Sequence, residues 1–336
     1  MRATIKEVAK LAGVSIATVS RVFNGPNLVL DETRKTVEEA ARSLKYSPNP
    51  TARSLSRRKT ETIGMLLPDL HGEFFSEVIR GSDLTARRNG FHLIVSSSHN
   101  DRAEIQAALR AMTGRVDGLI VMSPLVDAQT LIDNLPSSLP LVLLNCYLRE
   151  DNFDILNIDN FHGAFEMVRH LVGHGHKSIA CIKGTHENID AAERLRGYRA
   201  ALKESGIEND PALEFDGDFN EQSGYRAVER ILNVNPRPTA IFASNDSMAV
   251  GAMGALRTRG IAVPGGIALA GFDDIPNARF VRPSLSTVQI KISDLGHLAV
   301  GRLLAAIRDK GNHRKERTVL AADPVFRESC GCQAND

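Results

Sequence analysis

The chain has 336 residues, 43% hydrophobic and 24% charged, the balance of a soluble globular protein with room for two or three domains. No stretch is long and apolar enough to span a bilayer, and the N-terminus has no apolar signal core, so membrane and exported classes are excluded and a cytoplasmic protein is expected. The formal net charge of +1 hides an asymmetry: of 41 Lys and Arg and 40 Asp and Glu, residues 1–60 hold 12 and 5, which makes a basic head on an acidic body and points to a polyanion partner for the head.

The head begins "TIKEVAKLAGVSIATVSRVFN", two helices around a tight turn. Thr4 and Glu7 make a capping box, and Ile5, Val8, Ala9 and Ala12 share one face. Gly13 supplies the backbone conformation that ends the first helix. Ser15 caps a second helix in which Val19, Val22 and Phe23 face inward. Asp31 is expected to cap a third, with Val37, Ala40, Ala41 and Leu44 at helical spacing. Ile16, Ala17, Ser20 and Arg21 then lie where the reading helix of a helix-turn-helix meets base edges in the major groove. Arg21 suits a bidentate contact to guanine, and Ile16 and Ala17 suit thymine methyls. Thr4, Ser15, Thr18 and Asn24 join them as candidate DNA contacts. A generic helical hairpin with a solvated arginine is the bland alternative.

This stretch, followed by "DETRKTVEEAARSLKYSPNPTARSL", resembles the lactose-repressor/galactose-repressor family of bacterial transcription regulators, and the resemblance runs to about residue 328. It implies a helix-turn-helix domain over 1–47, a hinge helix over 48–59 and an effector-binding and dimerisation domain over 60–330. In the hinge it implies that Leu55 wedges into the minor groove, with Asn49 as cap and Pro50 in the first turn. Ala52 lets two hinge helices approach, and Arg53, Arg57 and Arg58 meet phosphates. One helix of about eight residues is too short to persist alone in water, so it should order on DNA. A plain linker is the alternative.

From "ETIGMLLPD" onward, apolar strands such as "IGMLL", "FHLIVSS", "DGLIVM", "PLVLLN", "SIACI", "TAIFAS" and "IALAGFD" alternate with helices near 74–89, 160–173, 191–205, 222–234 and 246–259. Alternation of this kind predicts parallel sheets covered on both faces, in two α/β lobes with a cleft at the strand ends. The resemblance implies a periplasmic-binding-protein-like body. One lobe covers about 60–158 and 291–318, the other about 159–290 and 319–330, with crossings near 159, 290 and 319. Phosphate-cradling glycine loops and a nucleophile elbow are absent, so neither an enzyme nor a cofactor is expected.

Arg194, Asn245 and Asp273 offer the mixed donors and acceptors a polyhydroxyl ligand needs. The resemblance places Phe75 and Phe219 beside the effector, and Asn145 is a further candidate. The alternatives are a helix N-cap for Asn245, an interlobe ion pair for Arg194 and Asp273, and ordinary core for the phenylalanines. Purine-binding relatives carry an arginine where this chain has Asn188, which favours a sugar. His170, His174 and His176 lie close in sequence, but Gly173 and Gly175 end their helix, and Cys330 and Cys332 have no partner pair at a matching spacing. Free thiols and no metal are expected.

The expected protein is a dimeric, ligand-responsive regulator, a repressor of carbohydrate genes that binds a palindromic operator in double-stranded DNA. A purine-linked or global regulator is the alternative within the class, and a solute-binding transport protein the alternative outside it. The end "VFRESCGCQAND" lacks the leucine-heptad tail of tetrameric relatives, so a dimer is expected.

Overall fold

The computed structural model describes residues 3–24, 29–47, 59–123, 126–149, 152–309 and 312–332. Two compact units divide the chain at Glu61 and Thr62. The expected hinge residues Asn49, Ala52, Arg53 and Leu55 lie outside the described residues, as does the side chain of Asn24.

The first unit consists of α1 (Ile5–Ala12), α2 (Ile16–Asn24) and α3 (Asp31–Ser43). The capping box forms in both directions. The Thr4 amide donates to Glu7 Oε2 at 2.7 Å, and the Glu7 amide donates to Thr4 Oγ1 at 3.4 Å. Gly13 takes the left-handed conformation at φ +65° and ends α1. Ser15 Oγ accepts from the Thr18 amide at 3.1 Å, closing the first turn of α2. Val8, Ala9, Val19, Val22, Val37, Ala40 and Ala41 form the buried core. Asp31 does not cap α3. It is the first helical residue, and Leu30 stands at the cap with no side-chain bond. Asp31 pairs instead with Arg34 one turn on, at 2.7 Å, and its charge still favours the helix N-terminus.

In the second unit, β1 (Thr62–Leu67), β2 (His92–Ser97), β3 (Gly118–Met122), β4 (Leu141–Leu144) and β5 (Asp154–Ile158) come first. They are followed by β6 (Ile179–Lys183), β7 (Glu214–Asp216), β8 (Ala240–Ala243), β9 (Ala268–Ala270), β10 (Thr287–Gln289), β11 (Arg317–Leu320) and β12 (Asp323–Val325). The first lobe holds a parallel six-stranded sheet in the order β11-β5-β4-β3-β1-β2, the second a parallel sheet β7-β6-β8-β9. β10 and β12 pair antiparallel where the chain passes between lobes. β11 stays in the first sheet through Leu320, and β12 begins at Asp323.

Helices cover both sheets: α4 (Glu73–Arg88), α5 (Arg102–Met112), α6 (Ala128–Asn134), α7 (Asn160–Gly173), α8 (Ile189–Glu204), α9 (Glu221–Ile231), α10 (Asp246–Thr258) and α11 (Ile292–Arg308). β5 is absent from the strands expected, because Asp154 and Asn157 interrupt its apolar run. Asp154 is nonetheless buried, and from far along the chain His313 Nε2 makes a hydrogen bond to it at 2.7 Å and Lys315 Nζ, 3.6 Å away, compensates its charge. Glycine sets the approach of α9 to α10. A Cβ on Gly251 would lie 1.8 Å from the Glu221 carbonyl oxygen, and one on Gly224 would lie 2.0 Å from that of Met248. That contact brings the N-termini of both helices to the mouth between the lobes.

Candidate functional site

On the first unit, Ile16, Ala17 and Arg21 stand exposed on α2, with Ile16 45% accessible although apolar. Thr4 and Ser15 are exposed as well, while Thr18 and Ser20 are half-buried and Thr18 Oγ1 lies 2.9 Å from Ser15 Oγ. The inward face of the same helix is fixed by Val19 and Val22, so the outward set follows from the helical period. It presents apolar contact beside one long cation, the chemistry of a base-reading helix.

Between the lobes of the second unit lies a cavity of about 360 Å³. Phe75, Asn145, Arg194, Phe219, Asn245 and Asp273 all line it. Asn145 follows β4, Phe219 follows β7, Asn245 follows β8 and Asp273 follows β9, so the cavity sits outside the carboxyl ends of both sheets. Three of these residues hold left-handed backbone: Asn145 at φ +49°, Phe219 at +70° and Asp273 at +111°. Such conformations cost about 1–3 kcal/mol each, and in the middle of a well-packed body they mark a place where shape is imposed for use.

Arg194 is the hub of the second-lobe wall. Its Nε donates to Asn160 Oδ1 at 2.7 Å, and its Nη1 donates to the Ser244 carbonyl at 2.5 Å. Nη1 also lies 3.0 Å from Asp273 Oδ1, and the guanidinium stacks 3.8 Å over Phe272. Asn160 Nδ2 donates onward to Asp190 Oδ1 at 2.8 Å, and Tyr147 Oη from the first lobe donates to the same oxygen at 2.8 Å. Arg194 and Asp273 thus form an ion pair, but within the second lobe and not between the lobes as the alternative supposed. Burial pushes the Asp273 carboxyl up to about 6, against the pull of Arg194. Burial raises Asp190 as well, opposed first by Arg194 and then by the Tyr147 hydroxyl.

Asn245 is an N-cap whose Oδ1 accepts from the Met248 amide at 2.9 Å, and its Nδ2 donates to the Phe219 carbonyl at 2.9 Å. One residue therefore caps α10 and holds Phe219 in its left-handed turn. Asn188 caps α8 from the cavity rim, accepting from the Ala191 amide. Asp190, Asn160 and Tyr147 were not expected in the site. Asp190 was findable, since it precedes Arg194 by four residues and so shares its helical face. Asn160 and Tyr147 reach the site only through the tertiary fold.

Residues 4–49 match the description "Bacterial regulatory proteins, lacI family", and residues 168–330 match "Periplasmic binding protein-like domain". The HTH-type transcriptional repressor PurR of Pasteurella multocida is 36% identical over 97% of this chain and 98% of its own length. The ribose operon repressor of Haemophilus influenzae is also 36% identical, over 97% and 98%. The chain belongs to the lacI family of bacterial regulatory proteins. Among solved structures, the lac repressor dimer bound to operator and the anti-inducer ONPF has a TM-score of 0.85 at 29% identity, covering 98% of this chain and 99% of that one. This lacI-family chain is accordingly a ligand-responsive, DNA-binding transcription regulator, with a helix-turn-helix head and a two-lobed body. Among the described residues, no helix is long and apolar enough to cross a membrane.

Proposed function

We propose that the protein represses carbohydrate-utilisation genes as a homodimer on a palindromic operator, and that a neutral, hydroxyl-rich sugar in the interlobe cavity sets its DNA affinity. The observation that carries this reading is the charge of the cavity. Asp69, Glu73, Asp190, Asp218, Glu221 and Asp273 line it, against one arginine, Arg194, already committed to a carboxylate and a carbonyl. Such a wall repels phosphorylated or carboxylated ligands and offers many acceptors to hydroxyl groups. Asn145 Oδ1 is buried with no hydrogen-bond partner among the described residues, so a ligand donor would satisfy it. Phe75 and Phe219 give the apolar surfaces on which a pyranose face packs.

Two bridges between lobes flank the cavity. Tyr147 donates to Asp190, and the Asn277 amide donates to Glu73 Oε2 at 2.9 Å. A ligand that binds one lobe spacing better than the other shifts their population, and DNA affinity follows through the hinge at 48–59. In the head, Arg21 reads a guanine and Ile16 and Ala17 meet thymine methyls, while Leu55 wedges into the operator centre.

A thermal-shift screen of the full-length protein against neutral sugars, phosphorylated sugars and purine bases tests the effector reading. A neutral sugar should raise the unfolding temperature and phosphorylated ones should not. A response confined to purines would overturn the sugar assignment. Affinity of Arg21→Ala across half-site variants tests the head. A loss of about 1–3 kcal/mol concentrated at one base pair is expected, and a uniform loss across sequences would make Arg21 a phosphate contact instead.

A further inference from the structure

The histidines of α7 and the cysteines of the C-terminal segment, read from sequence as unrelated, meet in the fold. His170 Nε2 lies 3.4 Å from Cys330 Sγ, its neighbour from 160 residues away, and 3.6 Å from Cys332 Sγ. Cys332 Sγ lies 3.6 Å from His174 Nε2 as well. The ligand atoms of His170, Cys330 and Cys332 all fall within 4.8 Å of one another, the one such group among the described residues. We propose that His170, Cys330 and Cys332, with His174 as fourth ligand, bind a borderline-soft divalent metal of the zinc class, which clasps the C-terminal segment to the end of α7.

The spacing supports a shared centre over simple hydrogen bonding. A tetrahedral zinc with bonds of about 2.3 Å to sulfur and about 2.0–2.1 Å to nitrogen holds its nitrogen and sulfur ligands about 3.6 Å apart. Three of the four nitrogen–sulfur distances are 3.4–3.6 Å, and His174, which stands outside the group within 4.8 Å, closes on the ion by a small turn of its exposed ring. One imidazole nitrogen has a single proton or a single lone pair in the ring plane, so it cannot serve two sulfurs well. One cation between them serves all three atoms. Two histidines and two cysteines are a donor set that zinc favours, and the rings of His170, in the last turn of α7, and His174, its C-cap, lie with centroids 4.4 Å apart.

The surroundings fix the ligands in advance. The His170 ring stacks on Phe326 at 3.7 Å and 17°. Gly331, at φ +95°, makes the turn that carries Cys332 back beside Cys330. Just upstream, Ser329 Oγ donates to the Leu269 carbonyl at 2.6 Å and accepts from the Ser286 amide at 2.8 Å. Glu328 Oε2 accepts from the Ser284 amide at 2.6 Å. The cysteine pair therefore hangs from a segment already pinned to the second lobe. Cys330 is buried and Cys332 half-buried, and His174 is exposed, which leaves an entry path for the ion.

The test uses untagged full-length protein, stripped with chelator and kept reduced with a non-thiol reductant. Titration with Co²⁺ should give one ion per chain, with the visible bands and sulfur charge-transfer absorption of a tetrahedral thiolate site, and Zn²⁺ should displace it. Zn²⁺ alone should raise the unfolding temperature. Cys332→Ser and His170→Ala should each weaken binding at least about tenfold, since even supporting residues of metal sites are worth that much. His174→Ala should weaken binding while retaining the charge-transfer absorption. Failure of the reduced protein to take up either ion overturns the proposal. So does uptake that Cys332→Ser leaves unchanged, a substitution at a solvent-touched position that folding should tolerate.

Discussion

On the second-lobe wall of the cavity, Arg194, Asn160, Asp190 and Asp273 are joined in one network, and Asn245 pins Phe219 from below. On the first-lobe wall, Asn145 keeps a buried oxygen without a hydrogen-bond partner among the described residues, and Asp69 Oδ1 accepts from the amides of its own loop, Leu70 at 2.6 Å and His71 at 3.0 Å. The second wall is thus pre-organised before any ligand arrives, its ordering cost met during folding. The first wall has the Asn145 oxygen left over for the ligand to satisfy, whereas Asp273 Oδ1 on the second wall makes no hydrogen bond among the described residues but is held in an ion pair by Arg194 at 3.0 Å. Substitutions on the two walls should therefore separate stability from affinity.

The largest effect is expected from Arg194→Met. It leaves the Asp273 carboxyl buried and unpaired and frees the Ser244 carbonyl, so the body should lose about 3–5 kcal/mol in urea unfolding. Adding Asp273→Asn should recover a substantial part of that loss. An unchanged unfolding midpoint for the single variant would break the comparison, because the second wall would not depend on its hub.

Asn145→Gly probes the opposite wall. Glycine keeps the left-handed backbone at φ +49° without strain, so only the amide is removed. Unfolding should stay within about 1 kcal/mol of the parent, while affinity for the sugar found by thermal shift falls by about 1–3 kcal/mol. Calorimetry and urea melts on the same sample measure both. A stability loss as large as that of Arg194→Met would mean that the two walls do not differ in kind.

Much of this division was legible in the sequence, and what was missed has common causes. Helix periods and caps placed Val19 and Val22 inward and Arg21 outward in the head. Polar residues ending apolar runs marked Asn145, Asn245 and Asp273. Sequence spacing carries no information on partners brought from far along the chain, so Tyr147 beside Asp190 was invisible, as was His170 beside Cys330. Three-residue strands such as β10 and β12 are too short to leave a period. Asp31 illustrates the smallest error: a good capping residue one position inside the helix it was expected to cap.

The subtlest expected effect separates the roles of one carboxyl by pH. Burial holds Asp273 protonated up to about 6 in the folded chain, whereas an unburied aspartate ionises near its ordinary 3.8. Between those values the folded chain keeps a proton that the unfolded chain has released. This group therefore adds stability as pH falls through that window and withdraws it as pH rises through about 6. Ligand affinity should move the other way if a sugar hydroxyl donates to the ionised carboxylate, falling by at most about tenfold for each pH unit below 6. Stability and affinity would then diverge across the same window, and Asp273→Asn should flatten this contribution to both. Calorimetry at pH 5.0 and 7.5, beside urea melts at the same values, reads the two trends. An affinity that rises on acidification would instead make protonated Asp273 the donor, and the ligand atom facing it an acceptor.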